Sequence, residues 1–245
     1  VKHRLCLPEQ LGSADVKPGR RLPLDASHAH YLGRVLRLRR GAEVALFDGR
    51  GREWSATVTD IAAKVAEVEI NAASRQDPEP TRLILAQSWL KGAAMDTVVQ
   101  KSVELGATAI WLFDAARSNV KVDAKRRAGR VGHLTRVVVS AAEQCEALWL
   151  PSLTTFADLA AVLAQDRPGR TLFLDPGAAP LNAGSAPEPL TLLVGPEGGW
   201  SDAERSEARA DPTVTHVGLG TLILRAETAP LAALAAIRQA WAWRR

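Results

Sequence analysis

The chain has 245 residues, of which 47% are hydrophobic and 24% charged, with a net charge of +4 and a pI near 9.4. That is enough for one large domain or two small ones with sizeable cores, and no run approaches the ~20 apolar residues that would cross a bilayer. Two cysteines far apart in sequence, Cys6 and Cys145, exclude a disulfide framework and fit a reducing cytoplasm, as does an opening Val1-Lys2-His3-Arg4 without the apolar run of a secretory signal.

Charge is unevenly spread. Residues 1–52 hold eleven Lys/Arg against five Asp/Glu, a balance of +6, whereas the remainder holds 20 against 22, or −2. A basic front end is what a segment meeting phosphates needs. The first elements there are short strands: Val44 to Phe47, a turn at Asp48-Gly49-Arg50-Gly51, then Glu53 to Ile61 and Val65 to Ile70. In the last of these Glu67 and Glu69 alternate with Ala66, Val68 and Ile70, the period of a half-buried strand. A run of short strands predicts a small β-barrel over residues 1–76. It ends at the polar, proline-containing stretch Gln76-Asp77-Pro78-Glu79-Pro80, read as a linker.

From residue 81 to 245 the pattern alternates. Leu83 to Ala86 predicts a strand. Met95, Val98, Val99 and Val103 sit at helical spacing within 93–105, with Gly106 as the cap, and Ala109 to Phe113 predicts another strand. A long helix is expected over 124–147, its apolar stripe made of Val131, Leu134, Val138, Ala141 and Cys145. Strands at 172–174, 190–194 and 215–217 and a closing Ala/Leu-rich helix complete an α/β unit with a mostly parallel sheet. Trp89, Trp111, Trp149, Trp241 and Trp243 are assigned to packing rather than to stacking on bases.

Two loops carry the chemistry. Gly195-Pro196-Glu197-Gly198-Gly199-Trp200 follows the strand ending at Val194, and Ser201 with Glu204 forms an S-x-x-E capping box, so a helix starts directly after the glycines. Strand, glycine loop and helix N-terminus together present backbone N–H groups at the carboxyl end of a sheet, where open α/β sheets bind ligands. The second loop is Gly218-Leu219-Gly220 running on to Thr228, a candidate cap for the last helix, with Pro230 in its first turn. Each glycine turn alone is as readily structural. Together they can clamp a flat, nucleoside-like ligand. Neither G-x-G-x-x-G nor G-x-x-x-x-G-K-[ST] occurs, which disfavours a dinucleotide oxidoreductase or a P-loop NTPase. No metal site is expected: His28 and His30 are the only close histidines, and neither cysteine has zinc-ligand spacing.

These residues resemble a family. Leu193-Val-Gly-Pro-Glu-Gly-Gly-Trp-Ser and Leu219-Gly-Thr-Leu-Ile-Leu-Arg-Ala-Glu-Thr-Ala closely resemble motifs of the RsmE-type methyltransferases of the SPOUT class. His30-Tyr-Leu-Gly-Arg-Val-Leu-Arg and Leu46-Phe-Asp-Gly-Arg-Gly resemble their PUA-like domain, and Leu90-Lys-Gly, Gln100-Lys-Ser-Val-Glu-Leu-Gly, Arg117-Ser and Ala142-Glu-Gln follow in family order. The resemblance implies a PUA-like RNA-binding β-barrel followed by a SPOUT α/β domain with a deep trefoil knot, an exception to unknotted topology. It also implies a homodimer that uses S-adenosylmethionine to methylate N3 of a specific uridine in 16S rRNA of the small ribosomal subunit.

Carried over by motif, Gly195, Glu197, Gly198, Gly199, Leu219, Gly220, Ile223, Leu224 and Arg225 surround the cofactor, with the leucines and isoleucine packing the adenine. Uracil N3 methylation needs loss of the imide proton and stabilisation of a developing anion. Arg225 is the candidate for the charge, and Glu197 and Glu227 for the proton; a structural role is as open for each. Phosphate contacts are expected from Lys2, Arg4, Arg34, Arg37, Arg39 and Arg40. In the family an arginine commonly follows Glu-Gln; here Cys145-Glu146-Ala147 follows Glu143-Gln144, so that segment receives no RNA role. The alternatives are a SPOUT enzyme acting at another RNA site, such as a ribose 2′-hydroxyl, and a ribosome-binding factor without catalysis.

Overall fold

The computed structural model describes residues 3–12, 16–62, 64–120 and 123–241. Lys2 and Trp243 lie outside them. The chain forms two compact units, Val1–Glu79 with Ala142–Leu150, and Pro80–Ala141 with Pro151–Arg245. The sequence division at 76–81 had assigned residues 142–150 to the second domain.

The first unit contains β1 (His3–Cys6), α1 (Pro8–Leu11), β2 (Arg21–Leu24), α2 (Ala26–His30), β3 (Glu43–Phe47), β4 (Arg52–Ile61) and β5 (Ala66–Gln76). Its sheet has the order β1-β3-β4-β5-β2. Three register shifts along the β4–β5 pair bend it. No ladder joins β1 to β2 among the described residues, so the sheet of the expected small β-barrel has five strands and two edges. Both edge strands escaped sequence reading: each has four residues, and Pro23 confines β2 to an edge because it cannot donate to a ladder. Leu5, Leu22, Leu32, Leu46, Trp54 and Val68 are among the side chains that fill the core.

Residues 142–150 belong here because their backbone pairs with the β3–β4 turn. Gly51 N donates to Leu148 O at 3.0 Å, and Leu150 N donates to Gly49 O at 3.0 Å. Trp149 Nε1 donates to Asp77 O at 3.3 Å. Glu143 accepts from Cys6 N at 3.0 Å, and burial pushes its carboxyl pKa up. Burial likewise raises the Cys6 thiol to about 12, leaving it inert as a nucleophile.

The second unit contains β6 (Leu83–Ser88), α3 (Ala93–Glu104), β7 (Ala109–Phe113), α4 (Ala124–Cys145, whose last residues pack with the first unit), β8 (Ser152–Phe156), α5 (Leu159–Leu163), β9 (Arg170–Leu174), β10 (Leu190–Val194), α6 (Asp202–Ala210), β11 (Val214–Val217) and α7 (Thr228–Ala240). Every adjacent pair in its sheet, ordered β11-β9-β10-β6-β7-β8, is parallel. Its central strands β6, β7 and β10 are buried along their whole length, as a sheet covered on both faces requires. Leu134, Val138 and Ala141 of α4 are buried, while Val131 and Cys145 of the expected stripe are half-buried. Sequence reading missed β8 and α5: β8 is an edge strand with no fully buried residue, and α5 is one short turn. No helix among the described residues is long and apolar enough to cross a membrane.

Successive strands β6, β7 and β8 step one way, and β10 lies on the other side of β6 with β9 and β11 beyond it. The winding reverses between β6 and β10. At such a switch point the loops leaving neighbouring strands diverge and open a crevice at their carboxyl ends.

Candidate active site

Three loops meet at that end: residues 174–176 after β9, 195–200 after β10 and 217–229 after β11. They enclose a cavity of about 600 Å³, with Ala94 at the start of α3 also on its wall. This lies within the ~300–1,000 Å³ usual for small-molecule sites.

The β10 loop is held from three sides. Trp200 is 1% exposed; its ring stacks on Phe173 with centroids 4.3 Å apart and lies nearly parallel to Phe113 at 6.0 Å. Its Nε1 donates to Leu174 O at 2.8 Å, which satisfies the indole's only donor inside the core. The capping box forms: Glu204 N donates to Ser201 Oγ at 3.2 Å, and Ser201 N to Glu204 Oε2 at 2.8 Å. The other carboxylate oxygen of Glu204 accepts from Ala116 N at 2.9 Å, fastening the loop after β7 to the same helix start. Gln87 Nε2 reaches Gly195 O at 3.2 Å.

Asp175, on the cavity wall, is 7% exposed and receives Arg205 Nε at 3.0 Å and His216 Nδ1 at 3.3 Å. Arg205 also donates to Trp200 O at 2.6 Å, so α6, the β9 loop and the β10 loop form one clip. Asp175 and Trp200 were not assigned to the site from sequence. The strand ending Leu172-Phe-Leu-Asp-Pro was visible, but its place beside β10 follows only from the strand order.

Eight of the nine residues carried over as cofactor contacts line the cavity: Gly195, Glu197, Gly199, Leu219, Gly220, Ile223, Leu224 and Arg225. Gly198 does not. A Cβ there would lie 2.5 Å from Arg117 O, so this glycine permits close approach to the loop after β7 rather than to a ligand. Gly199 and Gly220 do face open space: both have positive φ, +69° and +111°, and a Cβ on either would meet nothing within 4 Å. The cradle therefore fits a ligand with a nucleoside-sized flat face. Ile223 lies at its edge 87% exposed, so the expected apolar packing by that side chain is not made within this chain.

Of the candidate catalytic groups, Glu197 Oε1 accepts from Lys91 N at 3.3 Å. Arg225 is 86% exposed and 4.0 Å from Glu227, and all three line the cavity. Thr228 is not the cap of α7: Glu227 holds that position without a side-chain hydrogen bond, and Thr228 is the first helical residue.

Among the expected phosphate contacts, Arg34, Arg37, Arg39 and Arg40 are exposed on and just after a π-helical turn at Tyr31–Val35. Arg37 has φ +56°, the left-handed region, which turns the chain sharply between Arg34 and Arg39. Arg4 is a correction. It is 8% exposed, paired with Glu53 at 2.6 Å and packed over the Phe47 ring, so it braces the sheet and is not free to meet RNA. Its basic type and position in a basic segment gave no sign of the carboxylate opposite.

Residues 77–238 match the RNA methyltransferase domain family and 24–71 the RNA methyltransferase PUA domain, so fold and cavity are those of an RNA methyltransferase. Ribosomal RNA small subunit methyltransferase E of Synechocystis sp. is 34% identical over 94% of this chain and 75% of its own length. The enzyme of that name from Neisseria gonorrhoeae, solved bound to S-adenosyl methionine, superposes with a TM-score of 0.88 at 33% identity, covering 98% of both chains. A Legionella pneumophila protein in complex with the cofactor SAM gives 0.89 at 28% identity, again with 98% of both chains covered. The chain belongs to the ribosomal RNA small subunit methyltransferase E family.

Proposed function

We propose that the protein transfers a methyl group from S-adenosylmethionine to N3 of a specific uridine in 16S rRNA. The observation that carries this reading is the cavity at the switch point, which is walled by three loops and whose two glycines Gly199 and Gly220 open onto empty space. It is supported by the cofactor bound in the Neisseria relative. When bound, S-adenosylmethionine supplies an electrophilic methyl on a cationic sulfur.

The chain's own groups do the rest. The loops after β9, β10 and β11 hold and orient the ligand, which turns an encounter of two reactants into one of fixed geometry. Glu197 or Glu227 accepts the imide proton. The N3 lone pair then attacks the methyl carbon, and the electron pair of the broken C–S bond stays on sulfur. Arg225 faces the charge that develops on the uracil as the proton leaves. Because N3 lies on the pairing edge, the nucleotide enters unpaired or flipped. Arg34, Arg37, Arg39 and Arg40 contact phosphates. Lys2, outside the described residues, is assigned the same role from sequence alone.

Two features of the family's architecture belong to this reading. The insertion of β10 between β9 and β6 is the strand order expected if the chain threads a deep trefoil knot. Leu222 and Ile223, 80% and 87% exposed beside the cavity, supply an apolar surface for a homodimer. A ribosomal substrate puts the activity in the cytoplasm.

The test is methyl transfer from labelled S-adenosylmethionine to unmethylated small ribosomal subunits, with the modified base mapped. One N3-methyluridine in 16S rRNA is expected. A methyl on a ribose or on another RNA would overturn the assignment of substrate, and cofactor binding with no transfer to any RNA would overturn the assignment of catalysis.

A further inference from the structure

The charge balance of the chain beyond residue 52 conceals a second basic concentration. Between residues 117 and 136 there are seven Lys/Arg and a single acidic residue, Asp123. This stretch is the loop after β7 and the first half of α4.

The described part of the loop is pinned by hydrogen bonds. Ala116 N is held by Glu204, while Ser118 Oγ donates to Trp89 O and accepts from Val120 N at 3.1 Å. In this loop Arg117 is exposed, and its guanidinium has no hydrogen bond or ion pair among the described residues. Its backbone carbonyl lies against Gly198 of the cofactor loop. The basic stretch therefore begins against the loop that walls the candidate active site.

Along α4, Arg126, Arg130 and His133 follow at i, i+4 and i+7 on one face. With Met95 and Leu134 they line an open groove of about 390 Å³ between α3 and α4. Arg130 is laid over the Trp89 ring at 5.1 Å, whereas Arg126 is 86% exposed, with Asp123 at 3.9 Å. The carboxylate in the groove, Asp96, already faces His133 Nε2 at 2.9 Å. Gly129, in the same groove and in mid-helix, weakens the helix, yet a Cβ there would meet nothing within 4 Å. Among the described residues nothing packs against Gly129, so the groove is open to close approach at that place.

Building on the methyltransferase reading, we infer that the face from Arg117 along α4 is a second RNA surface, holding the phosphodiester backbone that leads into the catalytic cavity. The cations are spread along the stretch rather than gathered at one point, which suits a strand of phosphates better than a single anion. The surface lies wholly within the methyltransferase unit, whereas the arginines at 34–40 belong to the first unit.

The experiment compares the full chain with an Arg126→Glu/Arg136→Glu double variant; both side chains are exposed, and Arg136 continues the basic stretch of α4 three residues beyond His133. Affinity for unmodified 16S rRNA transcript is measured across a salt series, and S-adenosylmethionine affinity by calorimetry. Loss of two phosphate contacts lowers the magnitude of the log–log salt slope by roughly 1.4–1.8, at ~0.7–0.9 per contact, with cofactor affinity unchanged. Arg117→Ala is expected to raise the KM for RNA severalfold while sparing cofactor affinity.

An unchanged slope and RNA affinity in the double variant overturns the inference. So does a defect seen only with assembled subunits and not with free RNA, which would make the partner a ribosomal protein. If RNA binding depends on this face but no base is methylated, the proposed activity fails and this surface stands.

Discussion

The two glycine loops that looked alike in sequence are opposites in the structure. The 195–201 loop is locked: Trp200 sits in an aromatic stack, Ser201 and Glu204 cap each other, and Gly198 is pressed against the Arg117 carbonyl. The 218–227 loop is open, with Leu222, Ile223 and Arg225 all at least 80% exposed. One wall of the cavity is thus preorganised by the core of its own chain. The other is left for ligand, substrate or a second copy to complete. A site divided in this way keeps a fixed reference for the cofactor while admitting a large RNA.

Substitutions should separate the two loops. Trp200→Ala should have the largest effect, about 3–5 kcal/mol of stability by analogy with buried aromatic truncations, read from denaturant unfolding, together with loss of cofactor affinity. Stability unchanged by that variant would mean the β10 loop is not held by its stack. Gly198→Ala comes next: the collision at 2.5 Å should cost about 1–3 kcal/mol as overpacking. Cofactor affinity should fall only indirectly, through displacement of Arg117 and the loop together; a fully stable protein that fails to bind cofactor would instead put Gly198 in the ligand site.

Ser201→Ala removes one half of the capping box and should cost about 1 kcal/mol, with Tm lowered by a few degrees and the cavity retained. On the open loop, Leu222→Ser/Ile223→Ser should change monomer stability by no more than about 0.5 kcal/mol, while sedimentation shows a dimer weakened at least tenfold. Arg225→Gln should leave stability and oligomeric state alone and lower kcat rather than raise KM. Should either variant of the open loop unfold the chain, the contrast between the loops would be lost.

Local patterns were enough to read much of this molecule. The strands at 109–113 and 190–194 were legible to the residue because their neighbours break the pattern sharply, and the S-x-x-E box marked the start of α6 because capping is decided within four residues. The glycine-loop motifs carried the family and eight residues of the cavity wall for the same reason: backbone chemistry is written in the loop itself. Local pattern stops informing where a residue's partner lies far along the chain. Arg4 looked like a phosphate ligand until Glu53 stood opposite it, and Gly198 looked like a cofactor contact until Arg117 filled the space. Asp175 joined the cavity only because β9 lies beside β10 and β11, and residues 142–150 joined the first unit only by pairing with the turn at Gly49–Gly51. Sequence by itself determined the elements and the chemistry of the loops, since both depend on near neighbours. Tertiary structure alone decided which charges are free and which are already paired, because burial and ion pairing depend on groups brought together across long separations in the chain.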